Sequence, residues 1–262
     1  MSDDDADTEA GDVPESYALY AYERTDARFT DWVRARAEPL WTEATTHRFT
    51  EELRADTLDD DVFGRYLIQD YAFLETLVGA FGHAVADAPT MSAKSRLSDF
   101  LGVLTADEND YFERSFDALG VDEATCTDPG LTPTTRAFED LLVRAAGEGG
   151  YAETLAVLVP AEWIYLSWAT PEPDQRPGRF YLAEWIDLHA NDEFAQFVGW
   201  LRAELDREGA AASTRRQARL ERLFRRTVEL EVAFFDAAYD PDTGAPDGHD
   251  SDSPVSGGGE TW

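Results

Sequence analysis

Three carboxylates stand where the surrounding pattern asks for apolar side chains: Asp70, Glu162 and Glu231. Asp70 has Tyr66 at i−4 and Phe73 at i+3, so the three share one face of a helix. Glu162 has Leu158 and Tyr165 at the same offsets. Glu231 continues a helical row of Leu220, Phe224, Val228 and Phe235. A carboxylate held among aromatic rings loses hydration, so its pKa rises and it suits proton transfer near neutral pH. The rings beside it make a slot for a flat heterocycle. Each acid also has a plainer reading, in which it caps a neighbouring helix or pairs with an arginine. Three of them on different helices, each beside aromatics, point to a pocket.

Glu162 lies in the apolar run Val157–Tyr165, two residues after Pro160. An interior proline removes a backbone hydrogen bond, at about 3 kcal/mol. A carboxylate is costly to bury unless it is paired or hydrogen-bonded. Two penalties so close together suggest a site; the alternative is a kinked core helix with Glu162 on its wet edge.

Other chemistries find little support. No HExxH, CxxC, Walker loop or GxGxxG occurs. A carboxylate di-metal centre in a bundle wants Glu-x-x-His segments. None of His47, His83, His189 and His249 has a glutamate three residues before it. No metal or cofactor is expected, and His83 is read as packed in a helix rather than as a ligand. Cys126 has no His or Lys near it in sequence to lower its pKa, and reads as an ordinary loop thiol.

Helices must position these groups. Phe29, Trp32, Val33, Arg36 and Leu40 fit a first helix with Pro39 near its end. An acidic turn at 58–61 precedes a long helix. There Leu67, Tyr71, Leu74, Val78, Phe81 and Val85 predict a buried seam that ends at Ala88-Pro89. Further helices are expected over 92–119, stopped by Gly120, and over 135–146, capped by Thr132 or Thr134. The turn 147–150 leads into the helix with the Pro160 run, followed by helices over 180–189, 193–206 and 214–238. Convincing β alternation is absent. The reading is one all-α domain over 17–240, a bundle of about eight helices. Residues 1–16 and 241–262 are expected to be disordered tails.

The chain has 54 acidic and 22 basic side chains, a net charge of −32, with Lys94 as its one lysine. Such a charge repels nucleic acid and anionic membranes. The acids are spread along helical faces, which fits a solvated shell adapted to molar salt better than a partner-binding tail. At about 1 M salt the Debye length is about 3 Å and the shell no longer repels itself. No run of about 18 apolar residues suggests a membrane span. With one cysteine, no intrachain disulfide is possible. The N-terminus lacks the pattern of a secretory signal, so a cytoplasmic location is expected.

The motifs also resemble a known family. Tyr66-Leu67-Ile68-Gln69-Asp70-Tyr71-Ala72-Phe73-Leu74 resembles the second-helix signature of the TenA family, the thiaminase II and aminopyrimidine aminohydrolases. Pro160-Ala161-Glu162-Trp163-Ile164-Tyr165 resembles its Pro-Cys-x-Trp-x-Tyr segment, and 230–239 resembles its closing glutamate helix. Trp185-Ile186-Asp187 followed by Phe194 fits too, so the similarity runs in order over residues 25–240. It implies a haem-oxygenase-like all-α fold, a homotetramer, and cleavage at the methylene attached to a 4-amino-2-methylpyrimidine. By that resemblance Asp70 holds the aminopyrimidine edge, Phe73 stacks on the ring, and Tyr165 and Glu231 act around the leaving group. The family's nucleophilic cysteine aligns with Ala161, and two pocket tyrosines align with Phe138 and His189. The resemblance is thus to a cysteine-lacking branch, in which Glu162 or Glu231 takes over. The expected activity is hydrolysis of aminomethyl- or formylaminomethyl-pyrimidine. A non-catalytic pyrimidine-binding protein is the alternative, and a haem-oxygenase-like oxidase a more distant one.

Overall fold

The computed structural model describes residues 13–170 and 176–240. The chain opens with α1 (Tyr17–Tyr22), capped by the Ser16 hydroxyl on the Leu19 amide. Residues 13–16, grouped with the tail from sequence, pack on the domain: Val13 touches the core and Pro14 accepts a hydrogen bond from the Trp32 indole. The rest of the expected tails, 1–12 and 241–262, lies outside the described residues.

The expected first helix is two: α2 (Phe29–Arg36) and α3 (Leu40–Thr45). Pro39 has no amide hydrogen to donate and disfavours a helical residue before it, so the chain breaks and restarts there. After α4 (Arg48–Arg54), Asp59 caps α5 (Asp60–Asp87) through the Asp61 amide. Its buried face is rotated from the expected seam. Phe63, Tyr66, Leu67, Phe73, Leu74 and Phe81 are buried, while Tyr71, Val78 and Val85 are only partly so. His83 is exposed, not packed, because it falls on the outer side of that rotated face.

The expected helix over 92–119 is α6 (Met91–Val103), a π-helical turn (Leu104–Glu108) and α7 (Asn109–Leu119). It stops at Gly120, whose φ of 70° suits glycine. Cys126 sits in a short helix, α8 (Glu123–Thr127), rather than a loop, and burial with the charges of Asp122 and Glu123 pushes its thiol up. Thr132 caps α9 (Pro133–Gly149), with proline in its first turn. Helix α9 runs through the glycines expected to form a turn, so that only Gly150, at φ 96°, makes the reversal.

Helix α10 (Tyr151–Ala169) is apolar nearly all round, and such a helix can only be buried. It packs against α5, α9, α12 and α13 as the centre of the bundle, with Pro160 inside it. Each large apolar side chain it buries stabilises the fold by roughly 1.5–3 kcal/mol. The outer layer is completed by α11 (Phe180–His189), α12 (Asp192–Ala211) and α13 (Thr214–Ala237). Among the described residues there are 13 α-helices and no strand; the excess over the expected eight is α1, α4 and α8, which the pattern did not announce, and the division of two expected helices into α2 with α3 and α6 with α7. None of these helices is long and apolar enough to cross a membrane.

Candidate active site

The structure buries more acids than the sequence pattern singles out, and their partners separate them into two kinds. Glu153 on α10 is 3% exposed and receives two hydrogen bonds from Arg216, at 3.0 and 2.7 Å. Glu204 accepts from Tyr151 and Arg207, and Glu221 lies 3.8 Å from Arg36. These are structural ion pairs. Glu162 and Glu231, 6% and 3% exposed, have no hydrogen bond or ion pair among the described residues. A carboxyl left unpaired in the interior is costly, and is kept where it meets a ligand.

Both face one cavity, which is partly open to solvent. Helix α10 contributes Ala161, Glu162 and Tyr165 to its wall. Helix α5 contributes Asp70 and Phe73, and α13 contributes Glu231 and Phe234. Phe138 comes from α9, and Trp185 and His189 come from α11. All eight residues singled out from the sequence therefore line the same space, although they lie on five helices far apart in the chain.

Aromatic rings make the apolar part of the wall. Phe73 and Phe138 touch, with centroids 4.6 Å apart, and Phe234 stands 6.2 Å from Phe73. Tyr165 lies edge-on to Trp185 at 6.2 Å and 4.9 Å from the His189 ring. The Tyr165 hydroxyl is 2.6 Å from that of Tyr66, which also hydrogen-bonds to Asp70. Tyr66 thus joins the α5 acid to the α10 tyrosine.

Burial dominates the electrostatics. It pushes Asp70 up to about 8, against an opposing hydrogen bond from Tyr66. Burial and then the charge of Asp70 raise Glu162 to about 8. Glu231 is pushed well up by burial, with Asp70 and Glu162 adding to it. These carboxyls hold protons near neutral pH, where an exposed carboxylate holds none. His189 moves the other way, to about 4, because burial disfavours its charged form.

One acidic wall residue escaped the sequence reading. Glu108, at the end of the π-helical turn, lines the cavity, and burial with the charges of Asp70 and Glu162 pushes its carboxyl well up. In sequence it belongs to the acidic run 107–110, which reads as a solvated face. The one signal available was its spacing of four from Leu104 and eight from Phe100, both of which also line the cavity. Among the described residues no group of three His, Cys, Asp or Glu is placed to hold a metal ion.

An "Aminopyrimidine aminohydrolase" from Halalkalibacterium halodurans is 28% identical over 211 residues, 78% of this chain and 92% of that one. A TenA homologue from P. horikoshii superimposes with a TM-score of 0.72 at 23% identity, over 81% of this chain and 99% of that one. A Shewanella denitrificans domain described as having a heme oxygenase-like fold matches with a TM-score of 0.58 at 10% identity, over 82% and 93%. The all-α, haem-oxygenase-like fold expected from the sequence is therefore the one observed. The family model of TENA/THI-4/PQQC matches residues 34–241, and the chain belongs to that family.

Proposed function

We propose that the chain hydrolyses an aminomethyl-pyrimidine or its N-formyl derivative to hydroxymethylpyrimidine, salvaging fragments of thiamine without a cysteine nucleophile. One observation carries this reading: Glu162 and Glu231 are buried without partners beside Asp70, while the other buried acids are paired. The name printed for the Halalkalibacterium relative supports the substrate class.

In this reading Asp70 takes the aminopyrimidine edge and Phe73, backed by Phe138, takes the ring face. The C–N bond at the methylene carbon breaks, and Glu231, which holds a proton near neutral pH, delivers it to the departing nitrogen. Water forms the new C–O bond and gives up its proton to a carboxylate, either Glu231, left ionised by that delivery, or Glu162 in its ionised form. Tyr165, held by Tyr66, orients the leaving group. Ala161 presents only a methyl group, so no covalent adduct forms there. A homotetramer in the cytoplasm belongs to the same proposal.

Ala161 and Phe138 favour a second reading, a pyrimidine-binding protein that does no chemistry, since neither offers a nucleophile or a hydroxyl. Incubating the purified protein in high salt with aminomethyl-pyrimidine, formylaminomethyl-pyrimidine and thiamine decides between them. Hydroxymethylpyrimidine released from either of the first two supports the hydrolase. Binding without turnover of any of the three sinks it in favour of the second reading.

A further inference from the structure

Tyr66 has one hydroxyl hydrogen and two polar neighbours to give it to. Its ring is boxed in by Phe49, Phe63, Trp185, Phe234 and Phe235, with centroids 4.6 to 6.2 Å away. Its hydroxyl stands 2.6 Å from that of Tyr165 and also bonds to the Asp70 carboxyl, one turn further along α5. It has no third partner among the described residues. Tyr66 does not itself line the cavity, whereas Asp70 on α5 and Tyr165 on α10 both do.

A hydroxyl donates one hydrogen and accepts through its lone pairs, so this chain of three groups has two consistent directions. When Asp70 donates to Tyr66, Tyr66 donates to Tyr165, and the Tyr165 hydrogen is left for the cavity. When Asp70 turns its hydrogen elsewhere, Tyr66 donates to Asp70, Tyr165 donates to Tyr66, and Tyr165 offers the cavity only a lone pair. The remaining combination makes Tyr66 accept twice and strands its own hydrogen among the rings, at the cost of an unpaired buried donor. Burial keeps a proton on Asp70 in the empty site at neutral pH, which favours the first direction. An aminopyrimidine edge favours the second. Its amino group presents an N–H and the ring nitrogen beside it a lone pair, so a protonated carboxyl donates to the one and accepts from the other. Asp70 then has no hydrogen left for Tyr66. No covalent bond changes in the reversal; the hydroxyl hydrogens only swing round.

We propose that Tyr66 is a hydrogen-bond relay: a pyrimidine edge seated on Asp70 reverses the Asp70–Tyr66–Tyr165 chain and turns Tyr165 from a donor into an acceptor facing the leaving group. The inference rests on the pyrimidine reading above and adds to it a coupling between the two ends of the ligand. Tyr165 receives an N–H of the leaving group only once the ring is in place, and protonation of the departing nitrogen is left to Glu231. Tyr66 acts through the other two and is a positioning residue.

The probe that tests this is 4-amino-2,5-dimethylpyrimidine, which carries the ring edge but only a methyl group where the leaving group stands. It cannot hydrogen-bond to Tyr165, so a hydrogen-bond change there comes through Tyr66. Infrared difference spectroscopy with isotope-labelled tyrosine reads the ring C–O stretch, which separates a hydroxyl that accepts from one that donates. Binding should move one tyrosine band from the accepting to the donating position, and Tyr165→Phe should abolish that shift. Tyr66→Phe should abolish it too while the compound still binds. A wild-type spectrum without the shift overturns the proposal, as does a shift that survives in either variant; the wild-type and Tyr165→Phe spectra decide alone if Tyr66→Phe does not fold. Kinetics supply a readout that a structural role would not give. Adding Tyr66→Phe to Tyr165→Phe should leave kcat unchanged, because the relay has already lost its far end, and an additive loss overturns it. A shift without turnover leaves this inference standing and removes the hydrolase, while turnover without a shift does the reverse. If the compound does not bind, the relay falls, and turnover of aminomethyl-pyrimidine alone decides the reading beneath it.

Discussion

The hydroxyl oxygens of Tyr66 and Tyr165 stand 2.6 Å apart and join α5 to α10 at the wall of the cavity. Tyr66 is 1% exposed and reaches the ligand space only through this bond and its bond to Asp70. It is therefore a positioning residue. Tyr66→Phe should lower kcat about tenfold and leave KM nearly unchanged, with a stability loss of about 1 kcal/mol for the lost hydrogen bond. Steady-state kinetics beside thermal unfolding separate the two effects. A lower midpoint with unchanged kcat would reduce the pair to a structural contact.

Glu231→Gln removes the proposed proton donor while keeping shape and hydrogen-bonding capacity. Turnover should fall by about 10²–10⁴-fold, the range for a general acid. Affinity for hydroxymethylpyrimidine should persist, because Asp70 and Phe73 are untouched. Glu162→Gln should cost less. If Glu162→Gln proves the more damaging of the two, the roles are exchanged.

The raised carboxyls tie stability to pH. Glu162 titrates at about 8 in the fold against an ordinary value of 4.5, and Asp70 at about 8 against 3.8. The folded state thus holds these protons more tightly than the unfolded chain. The stability they contribute is fully present below the unfolded pKa and is lost as pH rises towards about 8. His189 has the opposite sign: its contribution is present above 6.5 and is lost as pH falls towards about 4. The window above pH 6.5 therefore reports the carboxyls alone of these three. There the melting temperature of the ligand-free protein should decline with pH. Glu162→Gln should flatten that slope and raise the midpoint at pH 8, by about 2–4 °C for each kcal/mol recovered. A variant that melts lower than the wild type at pH 8 would show that Glu162 is paired there after all.

A net charge of −32 destabilises the compact state through self-repulsion in dilute buffer. Molar salt shortens the Debye length to about 3 Å and removes that cost. The melting temperature should rise between dilute buffer and molar potassium chloride. An unchanged midpoint would count against adaptation to salt.

Much of the fold was legible in the sequence because helical periodicity and caps are local. The stop at Gly120, the cap at Thr132 and the burial of the Pro160 run all follow from a few neighbouring residues. So did three acids on apolar stripes, together with a family resemblance over residues 25–240. Which acids are free was not legible. Glu153 and Glu162 lie on the same helix and are both buried, yet Arg216 reaches the first from another helix and no arginine reaches the second. That difference is set by packing between segments some sixty residues apart, which no periodicity encodes. Glu108 entered the wall through a π-helical turn that the pattern does not announce. Only the assembled bundle, by excluding water from one space among α5, α9, α10, α11 and α13, turned separate carboxyls into one set whose protons depend on each other.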